Sequence, residues 1–127
     1  MKHKSLIILI VLLLLCFIKP THAMSLKGYE MAKKDDPDIT KLYIFGVGEG
    51  FSWSCTVLEA EGKQLFFCQP DHLVLNANNY VEILEREIQR QREGGIFGEG
   101  GISKEDASVE LILFYGLVRT FPCSEDK

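Results

Sequence analysis

Three cysteines, one histidine and a few neighbouring carboxylates are the reactive groups between residues 24 and 127 of this 127-residue chain. Cys55 and His72 are the residue types of a thiol–imidazole nucleophile. Nothing in the sequence brings them together, and no third residue is placed to orient the imidazole. A leftover thiol and a loop histidine are the preferred reading. Metal binding finds no ligand spacing of the Cys-x-x-Cys kind. The adjacent pairs Asp35–Asp36 and Glu105–Asp106 sit where helices should start, so they read as caps rather than as acid–base catalysts. Gly46-Val47-Gly48-Glu49-Gly50 lacks the spacing of a dinucleotide loop, and no Lys-Ser or Lys-Thr pair follows it. Gly46 and Gly50 lie one helical turn apart. They are expected to let a second helix approach closely, since each costs about 1 kcal/mol of helix propensity. No catalytic residue, metal or cofactor is predicted.

The cysteines carry a different message. Phe67-Cys68-Gln69-Pro70 and Phe121-Pro122-Cys123 each set a cysteine beside a phenylalanine and a proline at the end of an apolar segment. A Cys68–Cys123 bridge would close a loop of about 56 residues and contribute roughly 4 kcal/mol through chain entropy. Cys55–Cys68 is the competing pairing.

Such a bridge needs an oxidising compartment, and the N-terminus supplies the route. Lys2, His3 and Lys4 precede an unbroken apolar run from Leu6 to Ile18, and Pro20 and Thr21-His22-Ala23 follow. That is the layout of a secretory leader cut after Ala23, and the run is short for a bilayer span. Leu15 before Cys16 excludes lipid attachment there. Residues 1–23 are therefore expected to be removed and residues 24–127 to form one domain, with no membrane attachment afterwards. Lys2, Lys4 and Lys19 go with the leader and all 18 acidic residues stay, so the mature net charge is 11 − 18 = −7. That sign argues against nucleic acid, which requires a basic footprint.

The elements that must position these groups are helical. Met24 to Lys34 forms a short helix with Leu26 and Tyr29 on one side. Asp36 and Pro37 then open a second, as N-cap and first helical residue. Its apolar positions are read as Ile39, Leu42, Tyr43, Val47, Gly50, Phe51, Ser54 and Leu58. The chain turns between Glu59 and Lys63. Asn76 caps a third helix reaching about Glu93, with Tyr80, Val81, Leu84 and Ile88 inward and Glu82, Glu85, Arg86 and Arg90 outward. Five glycines mark a loop from Glu93 to Ile102. Ser103 is expected to cap the last helix, with Glu105 and Asp106 in its first turn and Val109, Ile112, Leu113 and Leu117 buried. The expected fold is an all-α, compact four-helix domain with one intrachain disulfide.

Taken in order, the motifs resemble the Rap/Tai-like immunity family. These are small exported helical proteins that protect bacteria from peptidoglycan amidases injected by type VI secretion. The family pattern of a Tyr-Ile-x-Gly helix, Phe-Cys-x-Pro, a further helix and Phe-Pro-Cys is similar to Tyr43-Ile44-Phe45-Gly46, Phe67-Cys68-Gln69-Pro70, the helix about Tyr80 to Ile88, and Phe121-Pro122-Cys123. Relatives carry two more cysteines, one in the first helix and one before the Tyr-Ile motif. Both are missing here, which leaves Cys68 and Cys123 as partners and Cys55 as an extra thiol. The glycine-rich loop is longer than the hinge usual in the family. The resemblance implies a periplasmic protein that inhibits by binding a secreted peptidoglycan amidase, and a homodimer. Ile96, Phe97 and Glu99 in the glycine-rich loop are the partner-binding candidates, although a simple hinge is the preferred reading of that loop. A periplasmic structural or chaperone-like protein without a toxin partner is the alternative.

Overall fold

A computed structural model describes residues 23–93 and 107–124. Four helices account for most of them: α1 (Leu26–Asp35), α2 (Pro37–Ala60), α3 (Ala77–Arg92) and α4 (Val109–Thr120). Among the described residues the only β pairing is an isolated antiparallel bridge between Ser25 and Ser108. The expected all-α architecture is the one observed.

The helix boundaries follow local chemistry. Ser25 accepts a hydrogen bond from the Gly28 amide at 3.1 Å and caps α1. Asp36 ends α1 and caps α2 through the Ile39 amide at 3.1 Å, with Pro37 at the first position, where its missing N–H costs nothing. Gly62, at φ 64, takes the left-handed conformation that ends α2 and turns the chain. Asn76 and Asn79 cap α3 reciprocally, each side chain accepting from the other's backbone. The last helix starts later than the sequence led us to expect. Its N-cap is Ser108, whose hydroxyl accepts from Leu111, and the acidic residue in its first turn is Glu110. Ser103, Glu105 and Asp106 lie outside the described residues.

One core joins the four helices. Tyr29 from α1, Ile44 from α2, Tyr80, Leu84 and Ile88 from α3, and Val109, Ile112, Leu113 and Leu117 from α4 are all buried in it. α3 packs on both α2 and α4, and α1 packs on α2. The segment from residue 61 to 76 contributes Phe67 and Leu75 to the same core. Cys68 and Cys123 are joined, with their Cα atoms 4.9 Å apart, and the Cys68 amide donates to the Phe121 carbonyl at 2.8 Å. The bridge thus ties the α2–α3 connection to the residues just after α4. Among the described residues Cys55 is the free thiol, and it is buried in α2.

The inward face of α2 differs from the one expected. Thr40, Ile44, Gly48 and Cys55 are buried, with Phe45, Val47 and Phe51 packed beside them, while Ile39, Leu42 and Tyr43 face outward. The glycine expectation is corrected with it. A Cβ on Gly46 or Gly50 would meet nothing within 4 Å, whereas one on Gly48 would lie 2.3 Å from Cδ1 of Tyr80. Gly48 is therefore the close-approach residue between α2 and α3. Gly116 does the same for α3 and α4, where a Cβ would lie 2.9 Å from Cγ2 of Ile83.

Candidate functional site

The side of α2 turned away from the core forms an apolar stripe. Ile39, Leu42, Tyr43, Trp53 and Val57 are 66%, 66%, 37%, 67% and 55% exposed, with Gly46 and Gly50 between them. At 100° per residue all seven positions fall within about 60° of a common line, and the stripe runs for about 27 Å. The exposed parts of its five large side chains amount to roughly 600 Å², at the upper end of the largest apolar patch on an ordinary monomer.

The stripe has an internal order. Counted outward from Gly48, Gly46 matches Gly50, Tyr43 matches Trp53, and Ile39 matches Val57. Small residues stand at the middle, aromatics further out and β-branched residues at both ends. An antiparallel copy of the same helix would therefore present like to like at these three pairs, with Leu42 opposite Ser54. No aspartate, glutamate, lysine or arginine occupies the stripe's own positions.

Tyr43 is tied down at its tip. Its hydroxyl donates to Oε1 of Glu110 on α4, which fixes the ring at the edge of the stripe. Burial, together with that hydrogen bond and the carboxylate's charge, pushes the phenol up to about 12. Burial raises the Glu110 carboxyl, but donors from Ser108, Tyr43, its own amide and the Met24 amide outweigh it and hold the group below the ordinary carboxylate range.

A second feature lies between α2 and the segment that follows it. An open cleft of about 280 Å³ is lined by Ser52, Cys55, Thr56, Glu59, Leu65, Phe67, Gln69, Pro70, Asp71 and Leu73. Behind it, the Tyr80 hydroxyl donates to Glu49 at 2.9 Å and meets the Ser52 hydroxyl at 2.9 Å. Burial, opposed by the Ser52 hydrogen bond and reinforced by Glu49, pushes this phenol to about 12. His72 is exposed on the 61–76 segment and does not line the cleft that Cys55 borders. Among the described residues no group of three or more His, Cys, Asp or Glu side chains is arranged to hold a metal ion.

The residues singled out in the sequence fall into distinct places. Phe67 is buried in the core, and Phe121 packs against it from the edge. Pro70 borders the cleft, and Pro122 stands beside the bridge on the surface. Tyr43 and Gly46 belong to the stripe. Ile96, Phe97 and Glu99 lie outside the described residues. Trp53 and Val57 were missed. The signal that would have found them is the alternation along α2 of two apolar faces, one centred on Ile44 and the other on Gly46.

No helix of the described residues is long and apolar enough to cross a membrane. In comparisons with known proteins, no family model, no curated sequence and no solved structure matches this chain.

Proposed function

We propose that this protein is a periplasmic immunity protein that binds and inhibits a peptidoglycan amidase delivered by type VI secretion, and that it acts as a homodimer. The observation that carries a binding role is the α2 stripe, an apolar surface that water would otherwise face at a cost. The class of partner comes from the ordered motifs around Tyr43, Cys68 and Cys123. The disulfide-tied helical fold is the scaffold those motifs imply. A rigid scaffold of this kind suits inhibition by occlusion, because little ordering entropy opposes binding.

The stripe belongs to the dimer rather than to the amidase contact in this reading. A two-fold interface is self-complementary, so the same surface must meet itself. The mirror order about Gly48 satisfies that condition, and Gly46 and Gly50 give the two helices a close crossing. Roughly 600 Å² of apolar side chain per copy, with its polar rim, approaches the ~800 Å² per partner of a standard interface.

The test of immunity is survival. Deleting the gene in its own bacterium should leave the mutant open to lysis by its parent during surface contact, and the exported protein should restore survival. The mature chain used as bait should then retain an amidase in a defined ratio. If the mutant survives while the secretion system is shown to fire, immunity is wrong for this protein and the structural or chaperone-like reading takes its place. The dimer is tested separately. Trp53 is the only tryptophan, so its fluorescence should shift to the blue with rising chain concentration. Trp53→Asp should give a monomer in light scattering. A wild-type chain that remains monomeric at high concentration refutes the dimer.

A further inference from the structure

Removing a leader after Ala23 changes the chemistry of one nitrogen. In the continuous chain the nitrogen of Met24 is a neutral amide with one proton to donate. After cleavage it is an α-ammonium with three donors and a full positive charge. The structure places that nitrogen 3.0 Å from Oε1 of Glu110. The Met24 amide also opposes the rise of the Tyr43 phenol. Ser108 donates to the other carboxylate oxygen, Oε2. Glu110 thus meets the atom that processing would free, and Tyr43 from α2 and Ser108 at the start of α4 hold that carboxylate in place.

The backbone holds it there. The Val109 amide donates to the Met24 carbonyl at 2.8 Å, and the Leu26 amide donates to the Ala107 carbonyl at 2.9 Å. Ser25 and Ser108 form the bridge between these bonds. The three residues 24–26 are zipped to 107–109, so main-chain bonds just after the nitrogen fix its position. Ala23, in contrast, is exposed.

We infer that Glu110, Tyr43 and Ser108 form a seat for the mature N-terminus, and that cleavage between Ala23 and Met24 converts an amide hydrogen bond into a salt bridge that locks α1 to α4. The inference rests on removal of the leader after Ala23 but not on the identity of any toxin. An amide gives Glu110 one neutral donor. The ammonium supplies a charge at the same distance and a proton to spare for the Tyr43 oxygen. The pair forms only when the chain starts at Met24. One residue more would restore the amide and move the charge away, and one residue fewer would remove the nitrogen altogether. The seat is therefore complete for one cleavage position only.

The sign of the pH dependence follows. A carboxylate neighbour raises an amine's pKa, so the added stability is complete below the unfolded value of about 7.7–8.0 and is lost as pH rises through the folded value. The titratable groups facing the amine are Glu110 from α4 and Tyr43 from α2.

The test uses the chain from Met24 to Lys127, prepared with Met24 as its first residue, beside a control carrying Gly-Ser ahead of it. Nuclear magnetic resonance of the labelled Met24 amine should give a pKa above the roughly 7.7–8.0 of a free terminus. Glu110→Gln keeps an oxygen for the hydrogen bond but removes the charge, and should return the amine to the ordinary range. The wild-type melting temperature should fall between about pH 8 and 10, and neither Glu110→Gln nor the extended control should share that loss. An amine titrating in the ordinary range in the folded wild type overturns the seat. N-terminal sequencing of the exported protein supplies the second arm. Met24 as the first residue supports the inference. Any other first residue overturns the coupling to processing, whatever the recombinant chain shows, and neither result depends on the contact-killing outcome.

Discussion

Alanine at Gly48 should destabilise the protein, and alanine at Gly46 or Gly50 should stabilise it. In a bare helix each change gains about 1 kcal/mol in propensity. At Gly48 the new methyl would lie 2.3, 2.4 and 2.6 Å from Cδ1, Cε1 and Cγ of Tyr80. That is about 1 Å inside ordinary carbon contact. The ring cannot swing aside. It is completely buried, and its hydroxyl is held by Glu49 and Ser52. α2 and α3 must separate instead. Overpacking of this kind costs roughly 1–3 kcal/mol and more when the neighbour is fixed, so a net loss of about 2 kcal/mol remains after the propensity gain. Gly46 and Gly50 have no atom within 4 Å of the added carbon, so each should gain about 0.5–1 kcal/mol. The assay is urea unfolding of the oxidised mature chain by circular dichroism, at two chain concentrations so that association is seen separately. With a slope of about 1–2 kcal/mol/M, Gly48→Ala should lower the midpoint by 1 M or more. A Gly48→Ala midpoint at or above wild type would refute the crossing. A matching fall in Gly46→Ala at both concentrations would refute the assignment of the two faces.

Cys123→Ser should cost about 4 kcal/mol, and wild type melted with a reductant should fall to the same melting temperature. Acid should weaken the fold through Glu85 and Glu110. For Glu85, burial raises the carboxyl but the hydrogen bonds from Lys33 and Tyr29 and the charges of Lys33 and Arg92 lower it further, so both groups sit below the ordinary range. Their contribution is present above the unfolded value of about 4.3 and is lost as pH falls through the lowered folded values. Melts from pH 7 to pH 3 should show this loss, and Glu85→Gln should flatten it. Arg119→Ala should destabilise by about 2–3 kcal/mol in the same urea assay, because Glu87 is 3% exposed and Arg119 Nε stands 3.2 Å from it, against 3.6 Å for Arg90. A loss under 0.5 kcal/mol would show that Arg90 and the Gln91 amide, which donates to Glu87 at 2.6 Å, satisfy that carboxylate without Arg119.

Where one periodic face met one strong cap, the sequence was sufficient. Asp36-Pro37, Asn76 and the stripe Val109, Ile112, Leu113 and Leu117 are all found as read. α2 was misread for a physical reason. It is apolar on two sides, so hydrophobicity alone could not tell the core face from the outer one, and the reading merged Ile39, Leu42 and Tyr43 with Val47 and Phe51. The glycines misled in the same way, because a small residue looks alike whether it admits a neighbour or faces water. Only the position of the Tyr80 ring separates Gly48 from Gly46. The start of α4 was displaced because Ser103 and Ser108 are equally good caps, and the choice between them belongs to the pairing with Met24 and Leu26. Glu110 could not be found at all from sequence, since its importance comes from residues 86 and 67 positions away.

Burying Cys55 within α2 has a consequence for how the protein is made. While the chain is unfolded, the thiols of Cys55, Cys68 and Cys123 compete on encounter frequency alone. Cys55 and Cys68 are about 13 residues apart and Cys68 and Cys123 are 55 apart. Loop-closure entropy then favours the short, non-native pair by roughly 1.3 kcal/mol, or about ninefold. An oxidant that acts before the helices form would trap that ring, and the crosslinked chain could not place Cys55 in the core. Its escape is attack by the Cys123 thiolate on Cys68, which releases Cys55 to be buried. The yield of correctly bridged protein is thus a race between helix packing and oxidation, and it depends on the supply of a disulfide isomerase.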